Sequence, residues 1–320
     1  MSLDEIRKIG PNRFGKVAVL LGGKSAEREV SLASGKAVLD GLIANGIDAH
    51  AFDTKERALS DLKDKGFERA FIILHGRGGE DGSMQGALET LGIPYTGSKV
   101  LGSALAMDKV CSKQIWSNLG LPTAQYKVVT KALVSNFSAT DFDSLLNDLS
   151  GQAMVKPARE GSSIGMAKVS SGTELRSAIV NALMYDDEIL IESYITGPEF
   201  TVSILGNQAL PSIRMSTPHV FYDYDAKYID NTTNYYCPSG LSEKEEAELS
   251  ALCVKAFTAL KGEGWGRIDL MQEESGKFLL LESNTVPGMT KTSLVPKSAK
   301  QAGLSFEDLV TIILASSLER

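Results

Sequence analysis

Short apolar segments alternate with amphipathic helical stretches through the first third of the chain, and this alternation strongly limits the possible folds. Residues 16–21 form a β-branched apolar run that ends at Gly22-Gly23, which is typical of a buried parallel strand. The other predicted elements here are helices at 31–45 and 84–91 and strands at 47–52 and 70–74. Because helices separate successive strands, we predict βαβ units and an open, mostly parallel α/β sheet.

The rest of the chain mixes strands and helices without a regular alternation. A second region, from near Ser98, has predicted helices at 99–106, 108–119 and 172–184 and strands at 125–129, 153–156, 166–169 and 188–191. A third region, from near Ser193, has predicted strands at 199–205, 265–271 and 277–281, a Tyr- and Asp-rich loop at 221–237, and closing helices. A helix at 242–260 begins with a Ser-x-x-Glu capping box. We therefore predict three lobes, at 1–97, 98–192 and 193–320.

The composition of the chain limits which partners the protein can bind and where in the cell it is expected. The 320 residues carry a net charge of −7, so no excess of basic residues can neutralise the phosphates of a nucleic-acid duplex. No stretch approaches the roughly 18 apolar residues of a membrane span, and residues 1–15 contain no apolar run of signal-peptide length. The three cysteines are far apart without CxxC spacing, which argues for reduced thiols. We expect a cytoplasmic protein that binds neither nucleic acid nor membrane.

Two glycine-rich segments match catalytic motifs but lack the required context. Gly23-Lys24-Ser25 matches the end of a P-loop, but position 18 is Ala where that motif needs Gly, and a strand occupies the place of the loop. Residues 161–165 fit the G-x-S-x-G nucleophile elbow, which requires a following helix. A strand is predicted there instead, so we interpret the segment as a flap that offers N–H and hydroxyl groups to phosphate. A plain hairpin turn is the alternative.

A predicted hairpin in the third region carries the strongest chemical signal. Residues i and i+2 of a strand share a face, so Arg267 points the same way as Asp269, and Glu282 the same way as Asn284. Two carboxylates and an amide oxygen are hard donors that suit Mg²⁺ bridging nucleotide phosphates. The arginine beside them suits a developing anion. A salt-bridged outer strand face is the alternative.

Other candidate groups are weaker signals when each is taken alone. Lys109 opens a helix, Lys156 ends a strand and Lys227 lies in the Tyr-rich loop, but single lysines are usually solvated. After the apolar strand at 188–191, an extended backbone edge is suited to reading a purine. The same segment offers two carboxylates, Glu192 and Glu199, either of which could accept hydrogen bonds from ribose hydroxyls.

A series of motifs runs along the chain in a definite order. The motifs are LLGGKSAEREVS at 20–31, LHGRGGEDG at 74–82, MDK at 107–109, VKP at 155–157, EGSS at 160–163, GPEF at 197–200, YDAKY at 224–228, GRID at 266–269 and ESNTVPGMT at 282–290. In their number, order and length they resemble the motifs of D-alanine–D-alanine ligases of the ATP-grasp superfamily. The resemblance extends over the whole chain.

The resemblance implies a three-lobed ATP-grasp fold, with an N-terminal open parallel α/β lobe and two lobes that sandwich ATP. It implies that ATP phosphorylates one D-alanine carboxylate and that the amine of a second D-alanine attacks the acyl phosphate. The products are D-alanyl-D-alanine for peptidoglycan precursors, ADP and phosphate. Activation by ATP is chemically necessary because a carboxylate is a poor electrophile. Two Mg²⁺ ions, with Mn²⁺ as a substitute, and a homodimer are implied by the resemblance alone.

The resemblance also implies roles for individual residues. The nucleotide site comprises Lys109 and Lys156 at the phosphates, Ser162 and Ser163 of the flap, Glu192, Tyr194 and Ile195 at adenine, Glu199 at ribose and Lys227 at the transferred phosphate. The metal ligands are Asp269, Glu282 and Asn284. The amino-acid site comprises Glu27, oriented by Ser162 and Tyr228, with His75 nearby, Arg267 and the Gly288 N–H as oxyanion hole, and Ser293 and Leu294 at the second carboxylate. For His75, a hydrogen-bonded structural role is the alternative.

Three hypotheses for the function follow from these residues. The first is ligation of two D-alanines, favoured by the Lys227-Tyr228 pair, which relatives that make D-alanyl-D-lactate lack. The second is an ATP-grasp ligase with another second substrate such as D-lactate, and Thr292, where some members have His, leaves second-site affinity open. The third is a nucleotide-binding regulator without turnover, but the groups needed for catalysis are present.

Overall fold

The computed structural model describes residues 9–216 and 233–319. Its N-terminal lobe is built on a parallel sheet, as predicted. The elements are β1 (Val17–Leu21), α1 (Arg28–Ala44), β2 (Ala49–Asp53), α2 (Asp61–Asp64), β3 (Arg69–Ile72) and α3 (Ser83–Leu91). The strand order is β2-β1-β3, with β1 parallel to both neighbours. Every residue of β1 is buried, which explains its continuous apolar sequence.

The central lobe is an antiparallel sheet covered by helices. Its elements are α4 (Val100–Met107), α5 (Lys109–Asn118), β4 (Tyr126–Thr130), α6 (Lys131–Val134), α7 (Ala139–Asp148), β5 (Ala153–Pro157), β6 (Ala167–Val169), α8 (Gly172–Ala182) and β7 (Glu188–Ser193). The strand order is β4-β7-β5-β6. The glycine-serine segment lies between β5 and β6, which pair antiparallel. The prediction that strands flank this segment on both sides is therefore confirmed.

The C-terminal lobe contains a second antiparallel sheet. Its elements are β8 (Glu199–Leu205), β9 (Gln208–Ala209), β10 (Ile213–Ser216), β11 (Asn234–Tyr236), α9 (Glu243–Ala259), β12 (Trp265–Gln272), β13 (Phe278–Asn284), α10 (Leu294–Gln301) and α11 (Phe306–Ala315). The order is β11-β10-β8-β12-β13, and β9 pairs with β8. The predicted capping box is confirmed, because Glu245 N–H donates to Ser242 Oγ and Ser242 N–H donates to Glu245 Oε2.

The predicted hairpin is present, and its second strand is longer than predicted. Arg267 lies opposite Asn284 and Asp269 lies opposite Glu282 in the β12–β13 register. The apolar run of β13 ends at Leu281, but backbone pairing continues to Asn284 because β12 still offers hydrogen-bonding partners. The β12–β13 ladder therefore includes the polar end of the hairpin, with a shift in register between Asp269 and Leu270.

The last helices of the chain pack against the first lobe. One apolar core joins β1 and β3 to Val286, Met289 and the buried residues of α11. In α1, a Cβ at Gly41 would lie 3.1 Å from Val310, so α11 approaches this helix closely. This packing places the loop before α10 beside the N-terminal lobe. Within the described residues, no helix is both long and apolar enough to cross a membrane.

Candidate active site

Two cavities adjoin between the lobes. The first, of about 440 Å³, lies between the N-terminal lobe and the loop before α10. The second, of about 530 Å³, lies between the central and C-terminal sheets. Both are lined by Lys109, Glu160, Gly161, Ser162 and Glu282. A ligand in one cavity therefore meets a ligand in the other at these residues, the arrangement needed for group transfer between two bound molecules.

Most predicted site residues line one of these cavities. Those in the first cavity are Glu27, His75, Lys109, Ser162, Arg267, Glu282, Asn284, Gly288, Ser293 and Leu294. Those in the second are Lys109, Lys156, Ser162, Ser163, Glu192, Tyr194, Ile195, Glu199, Asp269 and Glu282. Lys227 and Tyr228 lie outside the described residues. The fold thus groups the predicted amino-acid residues around one space and the predicted nucleotide residues around the other.

Glu27 lies where the flap meets the N-terminal lobe. Ser162 Oγ donates a short hydrogen bond to Glu27 Oε1. Glycines pack on the other side of this carboxylate, since a Cβ at Gly76 or Gly161 would lie 2.7 or 2.8 Å from Glu27 Oε2. The two glycines therefore allow the lobe and the flap to enclose the carboxylate, and a larger residue at either position would displace it.

Glu80 is a site residue that we did not predict from the sequence. It lines the first cavity, and the N–H groups of Gly76 and Val286 donate to its carboxylate over 2.6 and 3.3 Å. Enclosure away from water, together with the charge of Glu27, raises the pKa of Glu80 to about 8. The available signal was its place in the LHGRGGEDG motif, but its partner Val286 is far away in sequence.

His75 is buried with both ring nitrogens engaged. Its Nδ1 lies 2.8 Å from Val286 O, and its Nε2 lies 3.4 Å from Ser34 Oγ. A carbonyl can only accept, so Nδ1 carries the proton and Nε2 accepts from the serine. Burial, with a smaller contribution from the charge of Arg267, lowers the pKa of His75 to about 4. The ring lines the first cavity, and its hydrogen bonds fit the structural alternative.

We expect acid to destabilise the protein partly through His75. Its folded-state pKa of about 4 lies below the ordinary 6.5, so the unfolded chain binds more protons between these values. The stabilisation is complete above about pH 6.5 and is lost as the pH falls through about 4. At about 1.36 kcal/mol per pH unit, the shift corresponds to about 3 kcal/mol.

The His75→Gln variant tests this dependence, because its amide can still donate to Val286 O. Urea unfolding of the parent and the variant between pH 4 and 7.5 should show a free-energy difference that is constant above pH 7. Below pH 6.5 the parent should lose more stability than the variant. Equal losses in both proteins at every pH would contradict the buried, neutral histidine.

Arg267 and Asp269 form a rigid pair at the floor of the site. Arg267 Nε and Nη2 donate to the two Asp269 oxygens over 2.7 and 2.6 Å. Asp269 also accepts from Thr201 Oγ1 at 2.6 Å and from Asn284 Nδ2 at 3.0 Å. The shared strand face predicted from the sequence is therefore confirmed. Because the carboxylate fixes the guanidinium, Arg267 is held in one orientation beside the first cavity.

The residues present fit a divalent cation bound together with phosphate. Asp269 and Glu282 lie directly opposite each other on β12 and β13, and both line the nucleotide cavity. Within residues 9–216 and 233–319, no three His, Cys, Asp or Glu side chains converge to hold a metal ion. Mg²⁺ is commonly held by one or two carboxylates with the remaining ligands from water and substrate phosphates, which matches this donor set.

A buried charge triad lies beside the second cavity, which two of its members, Glu192 and Lys156, line. The Glu192 carboxylate pairs with Lys156 through Oε1 and with Lys113 Nζ at 2.7 Å through Oε2. Burial favours the neutral acid, but the charges of Lys113 and Lys156 lower the pKa of Glu192 to about 2. Glu192 was expected at adenine, and in this structure its two oxygens face lysines.

Lys113 is the second residue that we did not predict. It is fully buried on α5 and donates to Thr123 Oγ1 over 2.6 Å. It follows Lys109 by four residues, so the two ammonium groups share a helix face, and this spacing is the available signal. Lys109 Nζ donates to Glu160 O over 2.6 Å and lies 3.5 Å from Glu282 Oε2. Lys109 therefore lies at the junction of the cavities, Lys156 lines the second cavity, and Lys113 is buried against Glu192.

A lobe with a parallel sheet, followed by two antiparallel sheets that enclose a cavity, defines the ATP-grasp class of ligases. A family model described as D-ala D-ala ligase C-terminus matches residues 115–315, and one described as D-ala D-ala ligase N-terminus matches residues 48–98. This chain belongs to the D-alanine–D-alanine ligase family, and it is an enzyme.

Individual relatives support this membership. The D-alanine–D-alanine ligase of Idiomarina loihiensis is 57% identical over 309 residues, covering 97% of this chain and 99% of the relative. A crystal structure of D-alanine–D-alanine ligase from Bacillus anthracis aligns with a TM-score of 0.83 at 35% identity, covering 95% and 97% of the two chains. Another from that organism, complexed with ATP, aligns with a TM-score of 0.82 at 33% identity, with the same coverage.

Proposed function

We propose that this enzyme joins two D-alanine molecules through a D-alanyl phosphate, using ATP and releasing ADP and phosphate. The observation that carries the proposal is the junction of the two cavities at Lys109, the flap and Glu282. There the terminal phosphate of a nucleotide in the second cavity meets a carboxylate in the first. The ATP complex of a similar ligase and the names of the relatives support the assignment.

In this proposal the second cavity binds ATP. Lys156 and Lys109 contact the phosphates, and the flap with Ser162 and Ser163 covers them. Tyr194 and Ile195 lie against adenine, beside Glu192. The Glu199 carboxylate accepts hydrogen bonds from the ribose hydroxyls. Lys227, from outside the described residues, is proposed at the transferred phosphate.

Asp269, Glu282 and Asn284 would hold two Mg²⁺ ions in this site. When bound, such ions neutralise phosphate charge during transfer of the phosphoryl group. The carboxylates of this chain supply the negative charge that attracts them, and Lys109 adds a fixed cation 3.5 Å from Glu282. Mn²⁺ prefers similar oxygen ligands and is a suitable substitute.

The first D-alanine occupies the cavity beside Glu27. The Glu27 carboxylate pairs with its ammonium group, and Ser162 holds that carboxylate in place. Tyr228, which lies outside the described residues, is proposed as the third member of this group. The substrate carboxylate then points to the junction with the nucleotide. There Arg267 and the Gly288 N–H stabilise the negative charge on the carbonyl oxygen when the second amine adds to the carbonyl carbon.

The second D-alanine binds at the N-terminus of α10. Ser293 is the N-cap residue of this helix, so the N–H groups of Leu294 and Val295 in the first turn can donate to a carboxylate. Its amine must be neutral to attack the acyl phosphate. Attack forms the C–N bond, and the nitrogen then releases one proton. Loss of phosphate from the tetrahedral intermediate breaks the C–O bond and leaves the dipeptide.

We also propose that the enzyme acts in the cytoplasm of a bacterium as a homodimer, supplying the dipeptide for peptidoglycan precursors. D-lactate as second substrate is not favoured, because the similar proteins carry the dipeptide name. The composition gives no sign of a nucleic-acid partner, since the net charge is −7.

The test is phosphate release with Mg²⁺-ATP and D-alanine, beside L-alanine and a mixture of D-alanine and D-lactate. We expect release with D-alanine alone, one dipeptide for each phosphate, and little release with L-alanine. If no phosphate were released with D-alanine at any loading, the proposed function would be wrong while the fold assignment stood. A product containing lactate would instead favour the depsipeptide alternative.

A further inference from the structure

Arg77 crosses from the N-terminal lobe to the central lobe beside the flap, which we define as residues 160–165. Its Nε lies 2.9 Å from Glu160 Oε1 at the start of the flap. Its Nη2 donates to Tyr185 O over 3.2 Å and lies 3.5 Å from Asp186 Oδ2. One guanidinium therefore contacts three groups of the central lobe.

The contacted groups bracket the flap at both ends. Glu160 begins it, and Tyr185 packs against its end, since a Cβ at Gly165 would lie 2.8 Å from Tyr185 Cδ2. Asp186 has a side chain only 1% exposed, and it accepts from the N–H and Nε of Arg159 over 2.9 and 3.0 Å. The carboxylate that Arg77 approaches in the central lobe is therefore held in place by hydrogen bonds from Arg159.

The turn of the N-terminal lobe that carries Arg77 is also held in place. Arg77 lies between Gly76 and Gly78, whose positive φ angles of 71° and 82° form a tight turn. Gly76 N–H donates to Glu80 and Gly78 N–H donates to Asp81 over 2.8 Å. Because the turn is hydrogen-bonded within its own lobe, the arginine links the N-terminal lobe to the central lobe.

Loss of the Arg77 contacts would affect the junction of the two cavities, where the phosphoryl group is transferred. The carbonyl of Glu160 accepts from Lys109 Nζ, and Lys109 lines both cavities. The flap contacts the N-terminal lobe a second time through Ser162 and Glu27. With Arg77 removed, only that contact would remain of the two, and the flap would open more often.

We propose that Arg77 is a positioning residue that holds the flap closed and so keeps water from the acyl phosphate, an inference that rests on the proposed function. If water replaces the amine, it adds to the carbonyl carbon, the C–O bond to phosphate breaks, and D-alanine is regenerated with release of phosphate. The net reaction is then ATP hydrolysis without dipeptide. Exclusion of water by loop closure is a general function of such segments.

The test compares phosphate release with dipeptide formation in Arg77→Gln. We expect phosphate per dipeptide to rise severalfold above the one-to-one ratio of the parent. Arg77→Lys keeps a positive charge near Glu160 but lacks the guanidinium group that also contacts Tyr185 and Asp186. Its ratio of phosphate to dipeptide should therefore lie between those of the parent and Arg77→Gln. A double-mutant cycle with Glu160→Gln should be non-additive, because the two side chains contact each other.

Arg57→Gln is the matched control. Arg57 lies in the same lobe as Arg77 and pairs with Asp61 of that lobe. The Arg57→Gln variant should therefore release one phosphate for each dipeptide, like the parent. A one-to-one ratio in both Arg77 variants would overturn the inference, and if Arg77→Gln fails to fold, the ratio of Arg77→Lys decides. A parent protein that makes no dipeptide would refute the proposed function itself, so the two failures are distinguishable.

Discussion

Replacing Glu282 by Gln should lower turnover with Mg²⁺-ATP by about 100-fold or more while changing the folding free energy little. A bound divalent cation supplies several kcal/mol of charge stabilisation in a transition state, and each 1.36 kcal/mol corresponds to about tenfold in rate. Gln keeps the size of the side chain and one oxygen but removes the charge. Glu282 lies opposite Asp269 on the hairpin, so the variant leaves one carboxylate in the proposed metal site.

Stability should change little because the Glu282 side chain is 27% exposed. Its ion pair with Lys109 spans 3.5 Å in this partly solvated place, and such pairs contribute about 0–1 kcal/mol. The comparison requires turnover over a range of Mg²⁺ concentrations together with urea unfolding of the same preparations. We expect the Mg²⁺ concentration for half-maximal rate to rise in the variant.

Glu274→Gln is the matched control, because Glu274 is an exposed residue in the turn of the same hairpin. It undergoes the same chemical change away from both cavities and should keep the parent's rate and Mg²⁺ dependence. If Glu282→Gln also turned over like the parent at every Mg²⁺ concentration, the metal assignment would be wrong.

The hairpin that holds these groups could be predicted because its signals are local. Alternation along a strand fixes which side chains share a face, and the apolar neighbours of Asp269 and Glu282 indicate the buried side. The contact between Asp269 and Thr201 could not be predicted in the same way. Thr201 lies on β8, and only the pairing of β8 with β12 brings it close.

Lys113, Glu80 and Arg77 show why part of the site is hidden from the sequence. Each is a single charged residue, and such residues are usually solvated. Lys113 can be buried because Glu192 balances its charge and Thr123 accepts a hydrogen bond from it, and both partners come from later in the chain. No local pattern records such pairings, so the structure is needed to find them.

The short elements α2, α6, β9 and β11 were not predicted, and β11 lies within the segment 221–237 that was predicted as a loop. Helix α7 and strand β10 were also missed, for different reasons. Helix α7 carries a capping box between Ser138 and Asp141, a signal that the sequence offers with Asp in place of the usual Glu. Strand β10 has only four residues, and its position depends on pairing with β8 and β11. Short strands of this kind are stabilised by their neighbours rather than by their own pattern.

Replacing Arg267 by Lys should lower kcat by about 100-fold or more, the loss found when one oxyanion donor is removed. Lysine keeps the positive charge but cannot bind both Asp269 oxygens with a planar fork, so its ammonium is not held beside the carbonyl. ATP binding should weaken much less, because the nucleotide cavity is lined mainly by other residues. The expected signature is a large fall in kcat with a small change in the KM for ATP.

The lysine variant is preferable to Arg267→Met for this purpose. Asp269 is buried and receives two of its hydrogen bonds from Arg267. Removing one partner of a buried ion pair destabilises a protein by about 3–5 kcal/mol, which would confuse a loss of catalysis with a loss of folded protein. A lysine still neutralises the carboxylate, so the rate can be interpreted.

Arg69→Lys is the control for losing a guanidinium fork in this protein. Arg69 donates to Phe14 O and to Ser317 on the far side of the N-terminal lobe, away from both cavities. It should lower the unfolding free energy without a selective fall in kcat. If Arg267→Lys kept the parent's kcat, the oxyanion would have to be stabilised without Arg267. The Gly288 N–H would then be the remaining proposed donor, and the pairing of Arg267 with Asp269 would serve only to hold the hairpin.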